Sequence, residues 1–415
     1  MAGVTERRAS IVTWVILLTA IGLLGTALTR VWWAVFDPSR TRPLTDIEYY
    51  RAALDAVAAG QPLFDVLGYP PFALILIAPL GWLPLTRAEQ MWTIAGMVGA
   101  VLLAALLVTL TWRVPGRTRL LPGRPGAATS VAVAAFLLLF NDPMFSQLHN
   151  GQISLLVVGL TFVDGCGLLP RRLQGSLIGI AGAIKLTPMI FVPYYLITGQ
   201  RRQAWTSMAS FVLATGIGFA LYPSDSLNFW THLGSTTRFG DLARPDNLSM
   251  LGTLTRWIAD PSLARYSWYA LFLVVGAIAL LRARSHFLRG EVVQATLVVG
   301  TASVALSPVS WPHHQIWLVL VALWLLWTPR TLDRVLGIGL LVVYSFGWDL
   351  LYGPLFSPDL RTFLVWEPRA LVPVLICLTG LPRGRDRALV TGDESLKPVD
   401  DRAPSLPSRT PDQLR

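Results

Sequence analysis

The sequence predicts an all-α polytopic membrane protein, and its composition and apolar runs are the evidence. Of its 415 residues, 53% are hydrophobic and only 14% are charged, whereas an average soluble protein has roughly 25% charged residues. A bilayer core about 30 Å thick needs roughly 20 apolar residues per helix, and apolar runs recur along almost the whole chain. The composition excludes a soluble globular enzyme, a disordered chain and a small disulfide scaffold.

The apolar runs define the predicted membrane helices. They cover residues 11–29, 70–84, 88–112, 127–140, 152–169, 174–199, 203–222, 262–282, 292–308, 312–327, 332–348 and 367–382. The run 70–84 is short and rich in proline, so we predict an interfacial helix after the first outer loop instead of a span. The run 174–199 is interrupted at Lys185-Leu186-Thr187-Pro188, which predicts two short helices that meet beside a polar cavity. With both corrections the sequence predicts about twelve transmembrane helices.

The basic residues predict the orientation. They cluster between the runs, at Arg113/Arg117/Arg119/Arg124, Arg171/Arg172, Arg201/Arg202, Arg282/Arg284/Arg289, Arg330/Arg334 and Arg383/Arg385/Arg387. Because cytoplasmic loops of membrane proteins are rich in Lys and Arg, we expect a multi-pass protein of the plasma membrane with both termini in the cytoplasm. The first apolar run is too long for a signal-peptide core and predicts an uncleaved span. Residues 1–382 are the predicted transmembrane domain, and residues 383–415 a disordered cytoplasmic tail.

This topology assigns the unusual polar residues to one face, the extracytoplasmic one. They are Asp46, Glu48 and Tyr50 in the first outer loop, Asp142, His149 and Gln152 in the second, Lys185 at the helix break, Asn247, Ser249 and Arg256 in the large loop, and His313 and His314 in the last. A transporter more often has its polar residues at mid-membrane in broken helices related by a repeat, and we see no convincing repeat. Acids, bases and a cation on one outer face are more typical of an enzyme site.

The sequence lacks the motifs that are typical of several other types of enzyme. The chain has no phosphate-binding loop of the form G-x-x-x-x-G-K-[ST]. It has no D-x-D pair, so a metal-held nucleotide sugar is not expected. The adjacent histidines have no third ligand at a suitable spacing, so we expect neither a metal nor another cofactor. A cytoplasmic nucleotide would be on the wrong side of this site, which favours a donor carried by a lipid.

Five segments resemble glycosyltransferase family 87. Residues 46–50 (DIEYY) and 69–72 (YPPF) are similar to its D-L-H-V-Y and Y-P-P-F segments. Residues 150–153 (NGQI), 182–188 (GAIKLTP) and 307–314 (SPVSWPHH) are similar to its G-Q-[IV]-N, G-x-x-K-L-T-P and S-P-[IV]-S-W-x-H-H patterns. The resemblance extends, in order, over about residues 10–380. The chain departs from these patterns at Glu48, where the family has His, at Ser154, where it has Asn, and at Gln315, where it has Trp.

The resemblance implies the GT-C membrane fold and a polyprenol-phosphate-mannose-dependent α-1,2-mannosyltransferase. Such an enzyme transfers mannose, with inversion, to a mannoside glycolipid or lipoglycan, such as a phosphatidylinositol mannoside, lipomannan or lipoarabinomannan. Asp46 is then the expected catalytic base. Lys185, His313 and His314 are expected to bind the donor phosphate or sugar, because an isolated lysine in an apolar helix is costly unless it meets an anion. Further candidate contacts with the acceptor or the sugar are Glu48, Tyr50, His149, Gln152, Asn247, Ser249 and Arg256.

The expected partners are membrane lipids, the polyprenyl-phosphate sugar donor and the glycolipid acceptor. The basic charge is assigned to cytoplasmic loops, so no nucleic acid is expected, and the sequence indicates no protein partner. Two alternative functions stay open. The first is an arabinofuranosyltransferase that uses polyprenyl-phosphate arabinose, and the second is a flippase or transporter of lipid-linked sugars.

Overall fold

The helices follow the apolar runs of the sequence. A computed structural model of the protein describes residues 2–36, 44–61, 68–117, 121, 123–233, 241–345 and 367–382. Within these residues the α-helices are α1 (Ala2–Phe36), α2 (Thr45–Ala58), α3 (Ala73–Gly81), α4 (Leu85–Arg113), α5 (Gly123–Phe140), α6 (Asp142–Asn150), α7 (Ser154–Gly165), α8 (Ser176–Ile184), α9 (Phe191–Ile197), α10 (Arg201–Leu221), α11 (Pro223–Thr231), α12 (Met250–Trp257), α13 (Pro261–Leu288), α14 (Val292–Ala305), α15 (Ile316–Leu326), α16 (Thr331–Ser345) and α17 (Glu367–Thr379). Short 3-10 helices cover Arg171–Leu173, Thr187–Ile190 and Pro312–Gln315.

The long helices have the length and polarity of membrane spans. Among the described residues, five helices are long and apolar enough to cross a membrane, namely α1, α4, α5, α10 and α13. The shorter apolar helices α14 and α15 are buried on all sides in the interior of the bundle. The predicted class, an all-α polytopic membrane protein, is therefore confirmed. The count of twelve spans stays a prediction, and the predicted tail, residues 383–415, lies outside the described residues.

The region 70–112 contains one long helix, as predicted. α3 has nine residues with Pro79 inside it, whereas α4 has 29 residues. A nine-residue helix is about 14 Å long, which is roughly half the thickness of a bilayer core. α3 is therefore too short to cross a bilayer, whereas α4 is long and apolar enough to do so.

The predicted helix break at Lys185 is also present. α8 ends at Ile184, and Lys185 has an extended backbone with φ −152° and ψ 123°. The 3-10 helix that follows begins at Thr187 and has Pro188 in its first turn, where a proline ring removes an N–H that a continuous helix would need. α8 lies directly on α10, because a Cβ atom at Gly179 would be 2.2 Å from the carbonyl oxygen of Ser207.

The described arginines that follow α4, α7, α9, α13 and α15 share one end of the bundle, which we call the basic end. Arg117, after α4, lies 3.9 Å from the ring centroid of Trp324 near the end of α15. Arg284, near the end of α13, donates a hydrogen bond of 2.9 Å to the carbonyl of Ile197 at the end of α9. The opposite end, which we call the site end, carries α2, α3, α6, α11, α12 and the break at Lys185.

A buried ion pair joins distant parts of the chain at the site end. Arg369 at the start of α17 donates to the Asp142 carboxylate at the start of α6, with 2.5 Å between Nη2 and Oδ2. Arg369 is fully buried and Asp142 is 5% exposed. The Tyr344 hydroxyl of α16 donates to the Arg369 carbonyl at 3.1 Å. The pair therefore fixes α17 against the first half of the chain and accounts for the charge of Asp142.

We expect Arg369→Met to lower the free energy of unfolding by about 3–5 kcal/mol, because it leaves the Asp142 carboxylate buried without its partner. The double variant Asp142→Asn/Arg369→Met removes both charges and should recover most of that loss. The midpoint of thermal unfolding of the detergent-solubilised protein measures both effects. Equal destabilisation of the single and double variants would contradict the role of the pair.

Candidate active site

Helix α2 carries Asp46 in its first turn and is anchored to α4. Its N-cap residue, Leu44, has no side-chain acceptor to satisfy the free N–H groups of the first turn. Glu89 of α4 supplies one, since its Oε1 accepts a hydrogen bond of 2.5 Å from the backbone N–H of Leu44. Arg51 donates to the carbonyl of Leu83 at 2.5 Å, just before α4. These two contacts fix the position of Asp46.

The turn between α6 and α7 brings Gln152 beside Asp46. Gly151 adopts φ +74°, a left-handed conformation that favours glycine. A Cβ atom there would be 2.7 Å from the Ile47 side chain, so the glycine also permits close approach of α2. Gln147 stabilises the turn, because its side chain donates to the Gln152 carbonyl and accepts from the Leu155 N–H at 3.1 Å.

A chain of hydrogen bonds links Tyr69 to Asp46. The Tyr69 hydroxyl donates to Oε1 of Gln152 at 2.8 Å, which leaves the Gln152 amide N–H groups free to donate to the Asp46 carboxylate. The Tyr69 and Tyr50 rings are 6.3 Å apart, and Tyr50 also packs edge-on against Trp92 at 6.2 Å. The aromatic rings thus support the side chain that orients Asp46.

The environment of Asp46 changes its acidity. Burial raises the pKa of this carboxyl from 3.8 to about 7, although the hydrogen bond from Gln152 and the positive charge of Lys185 both lower it in part. Asp46 belongs to α2, outside the five long helices. A carboxyl with a pKa near 7 has the proton affinity suited to a general base at neutral pH.

Lys185 lies close to Ser154 and His314. Its Nζ atom is 3.1 Å from Oγ of Ser154 and 2.6 Å from Nε2 of His314. The other ring nitrogen of His314, Nδ1, accepts a hydrogen bond of 3.2 Å from the Trp311 N–H, so the neutral ring carries its proton on Nε2. At 2.6 Å one of the two nitrogens must accept, so the Nε2–H of His314 donates to the Lys185 amine, whose neutral form is accessible because burial lowers the pKa of Lys185 from 10.5 to about 7. An anionic oxygen bound beside the pair would favour the lysine ammonium and could accept from both groups.

His313 has an unusual environment for a buried histidine. It is 4% exposed, and its ring centroid is 4.5 Å from that of His314. Among the described residues, neither of its ring nitrogens has a hydrogen-bond partner. Because an unsatisfied buried polar group is costly, this imidazole is well suited to bind a polar ligand.

A small cavity of about 30 Å³ extends the site beside Lys185 and His314. Hydroxyl groups of Ser154, Thr161, Thr187 and Ser303 contribute to its lining. It has room for about two water molecules. No group of three His, Cys, Asp or Glu side chains that could hold a metal ion occurs in the described part of the chain.

The structure therefore brings Asp46, Gln152, Lys185 and His314 together, with Tyr50 and His313 adjacent. Other predicted contacts have different surroundings. Glu48 is exposed on α2, and His149 stacks on Phe145 with 5.5 Å between ring centroids.

The large-loop residues that were predicted to contact the substrate hydrogen-bond to other parts of the protein. Oδ1 of Asn247 accepts from the Ser310 N–H at 3.0 Å, and the Ser249 hydroxyl donates to the Pro308 carbonyl at 2.8 Å. Arg256 pairs with Glu367 at 2.7 Å. These residues hold the large loop against the segment that carries the histidines, and no observation tests them as substrate contacts.

Two residues of the site are not among the predicted contacts. The sequence indicates only that Tyr69 precedes an interfacial helix, yet its hydroxyl orients Gln152. Ser154 hydrogen-bonds to Lys185. Both residues lie in segments that resemble the family, Y-P-P-F and G-Q-x-N, and that resemblance is the signal that could have found them.

The fold is a helical membrane fold, and its site combines a carboxyl group of pKa about 7 with a lysine–histidine pair. This combination is that of a membrane-embedded enzyme. The chain belongs to glycosyltransferase family 87, whose model matches residues 67–308. Tyr69, Gln152 and Lys185 lie within that match, whereas Asp46 and the two histidines lie outside it.

Curated relatives extend the similarity. The polyprenol-phosphate-mannose-dependent alpha-(1-2)-phosphatidylinositol mannoside mannosyltransferase of Mycobacterium tuberculosis is 31% identical over 318 residues, 72% of this chain and 73% of the relative. The enzyme of the same name from Mycolicibacterium smegmatis is 30% identical, over 66% of this chain and 68% of the relative. A phosphatidylinositol pentamannoside mannosyltransferase of that organism is 27% identical, over 78% and 80%. No solved structure gives a significant match.

Proposed function

We propose that this glycosyltransferase transfers mannose from polyprenyl-phosphate mannose to a phosphatidylinositol mannoside and forms an α-1,2 linkage with inversion. The names of the relatives support the donor, the acceptor and the linkage. The observation that carries the proposal is that Gln152 and Tyr69 connect Asp46 to Lys185, whose Nζ lies 5.7 Å from the Tyr69 ring centroid. This arrangement puts a base and an anion-binding group in one site. Neither the arabinofuranosyltransferase nor the flippase draws support from the relatives.

The proposed reaction is a single displacement. Asp46 accepts the proton of the acceptor hydroxyl while the hydroxyl oxygen attacks the anomeric carbon of mannose. The bond between that carbon and the phosphate oxygen breaks on the opposite face, and its electron pair leaves with polyprenyl phosphate. A β-linked donor therefore gives an α-linked product.

Lys185 and His314 are proposed to bind the phosphate. The leaving group is already an anion, so it needs stabilisation of its developing charge more than it needs a proton. Nζ of Lys185 and Nε2 of His314 are adjacent. A phosphate bound beside them favours the ammonium form of the lysine and can accept hydrogen bonds from that ammonium and from the Nε2–H. His313 can bind the sugar or the phosphate with its unpartnered nitrogens, and no metal is required in this proposal.

The assay that tests this function uses purified protein, polyprenyl-phosphate mannose and a panel of phosphatidylinositol mannosides of different mannose content. We expect one additional mannose per acceptor, and linkage analysis should give an α-1,2 bond. Transfer from polyprenyl-phosphate arabinose but not from polyprenyl-phosphate mannose would overturn the proposal. Lipid translocation in liposomes without acceptor turnover would also overturn it.

The ionisation of Asp46 gives a pH-dependence prediction. The base is active when it is deprotonated, so kcat/KM should rise with pH through the pKa of Asp46, about 7. It should fall again only above that range, where Lys185, whose pKa is lowered by burial, loses the proton that it needs to bind the phosphate. Gln152→Met removes a hydrogen bond that lowers this pKa, so the midpoint should move to higher pH. A rate that falls as pH increases through this range would contradict a base.

We also propose that the site end faces the outside of the cell. The arginines of the basic end support this orientation, because positively charged loops are retained in the cytoplasm. Both termini are then cytoplasmic, and the acceptor meets the site on the extracytoplasmic side of the plasma membrane.

Cysteine labelling tests the orientation. Glu48→Cys and Arg172→Cys introduce thiols at exposed positions of the site end and the basic end. A membrane-impermeant maleimide added to intact cells should label the first variant, and the second only after lysis. The unmodified protein, with Cys166 and Cys377, is the background control. The opposite pattern would overturn the orientation.

A further inference from the structure

We propose that the apolar groove between α4 and α7, which we call the α4–α7 groove, binds the polyprenyl chain of the donor. This assignment rests on the proposed function, because it concerns the lipid part of the proposed donor. The groove has a volume of about 330 Å³ and is lined by Trp92, Gly96 and Leu103 of α4 and by Leu156, Gly159 and Val163 of α7, among others.

The shape of the groove suits a single long chain. Its lining on α7 extends from Leu155 to Val163, which corresponds to about 12 Å at the rise of an α-helix. Gly159 contributes no side chain, and a Cβ atom built on it would meet no atom within 4 Å. The glycine therefore leaves open space in the middle of the groove.

The mouth of the groove lies at the proposed reaction centre. Gln147 and Gln152 are the polar residues of its lining, and Gln152 hydrogen-bonds to Tyr69 and Asp46. Nζ of Lys185 lies 5.7 Å from the centroid of the Tyr69 ring. The side chains of Tyr69 and Gln152 therefore separate a phosphate bound at Lys185 from the entrance of the groove.

The chemistry of the substrates distinguishes the donor chain from the acceptor chains. In polyprenyl-phosphate mannose the hydrocarbon is attached directly to the phosphate, so its first units must lie beside the phosphate site. In a phosphatidylinositol mannoside, glycerol, phosphate, inositol and mannose separate the acyl chains from the reacting hydroxyl. A groove that opens beside Asp46 and Lys185 therefore fits the donor.

A second groove, between α1 and α4, is larger but less suitable. It has a volume of about 500 Å³ and is lined by Leu28, Thr29 and Trp32 of α1 and by Met97, Val98 and Leu102 of α4, among others. None of the site residues Asp46, Gln152 and Lys185 belongs to its lining. Of the two grooves, the α4–α7 groove is therefore the one that is continuous with the site.

The test fills the groove with a side chain. Gly159→Phe should occupy it, and Gly216→Phe is the matched control, because Gly216 is also a mid-helix glycine with nothing within 4 Å of a built Cβ atom. It is exposed on α10. With a full-length polyprenyl donor, Gly159→Phe should raise KM by about tenfold or more, through lost burial of the chain. KM for a short-chain donor and KM for the acceptor should stay unchanged, and Gly216→Phe should behave as the unmodified protein.

A binding measurement separates this inference from the proposed function. Polyprenyl phosphate, without the sugar, should slow maleimide labelling of Gly159→Cys but not of Gly216→Cys. Absence of protection at position 159, or a rise of the acceptor KM in Gly159→Phe, would overturn the assignment of the groove. Protection at position 159 in a protein that does not transfer mannose would uphold the groove and overturn the proposed function instead.

Discussion

Asp46→Asn is expected to reduce the rate of mannosyl transfer by about 10²–10⁴-fold, the usual contribution of a general base. Asparagine has nearly the same shape as aspartate and keeps an oxygen that accepts the hydrogen bond from Gln152, but it cannot take a proton from the acceptor hydroxyl. The loss should therefore appear in kcat, whereas binding of the donor should change little. Initial rates with saturating polyprenyl-phosphate mannose measure it.

Asp55→Asn is the matched control for this prediction. Asp55 is on the same helix, nine residues from Asp46, and its side chain is exposed. It should retain the transfer rate of the unmodified protein, and both variants should be produced at the same level. A transfer rate of Asp46→Asn within a few-fold of that of the unmodified protein would exclude Asp46 as the base.

Local sequence features predicted much of the fold because each has a local physical cause. The break at Lys185 follows from a proline and a charged residue within an apolar run, and a continuous helix tolerates neither well. The single long helix of residues 70–112 was predicted from the short length and the prolines of the run that forms α3. The apolar runs that form α1, α4, α5, α10 and α13 are long enough to be recognised by composition alone.

The contacts that position the site depend on residues far apart in the chain. Glu89 satisfies the N–H of Leu44, 45 positions away, and Arg369 pairs with Asp142 across 227 positions. No local pattern encodes such pairs, because they arise only when helices pack. The same reason applies to the large loop, where Asn247 and Arg256 hydrogen-bond to distant parts of the protein. Their contacts with substrate stay predictions.

The residues of the site could be predicted from the sequence only in part. The family resemblance indicated Asp46, Lys185 and the histidines, and the structure brings Asp46, Lys185 and His314 together. It could not indicate that Gln152 connects Tyr69 to Asp46, or that Ser154 contacts Lys185, because a sequence pattern carries no hydrogen-bond partners. Gly159 has no motif at all, and only the shape of the α4–α7 groove shows what its missing side chain leaves open.

Lys185→Met is expected to lower the transfer rate by about 10²–10³-fold, the usual cost of removing one group that stabilises developing negative charge. The methionine side chain is of similar length but cannot donate to the phosphate. KM for the donor should rise too, because the ammonium also binds the phosphate before the reaction. The same variant should move the pH midpoint of kcat/KM upward, since the charge of Lys185 lowers the pKa of Asp46.

Lys185→Arg separates the two effects of the lysine. It keeps the positive charge, so the pH midpoint should remain near that of the unmodified protein. Transfer should still be impaired, because a planar guanidinium does not fit where Nζ lies 2.6 Å from His314 and 3.1 Å from Ser154. If Lys185 had only a structural role, the pH midpoint would not shift in Lys185→Met while it stays unchanged in Lys185→Arg. An unchanged midpoint and a near-normal rate in Lys185→Met would therefore exclude Lys185 from phosphate binding.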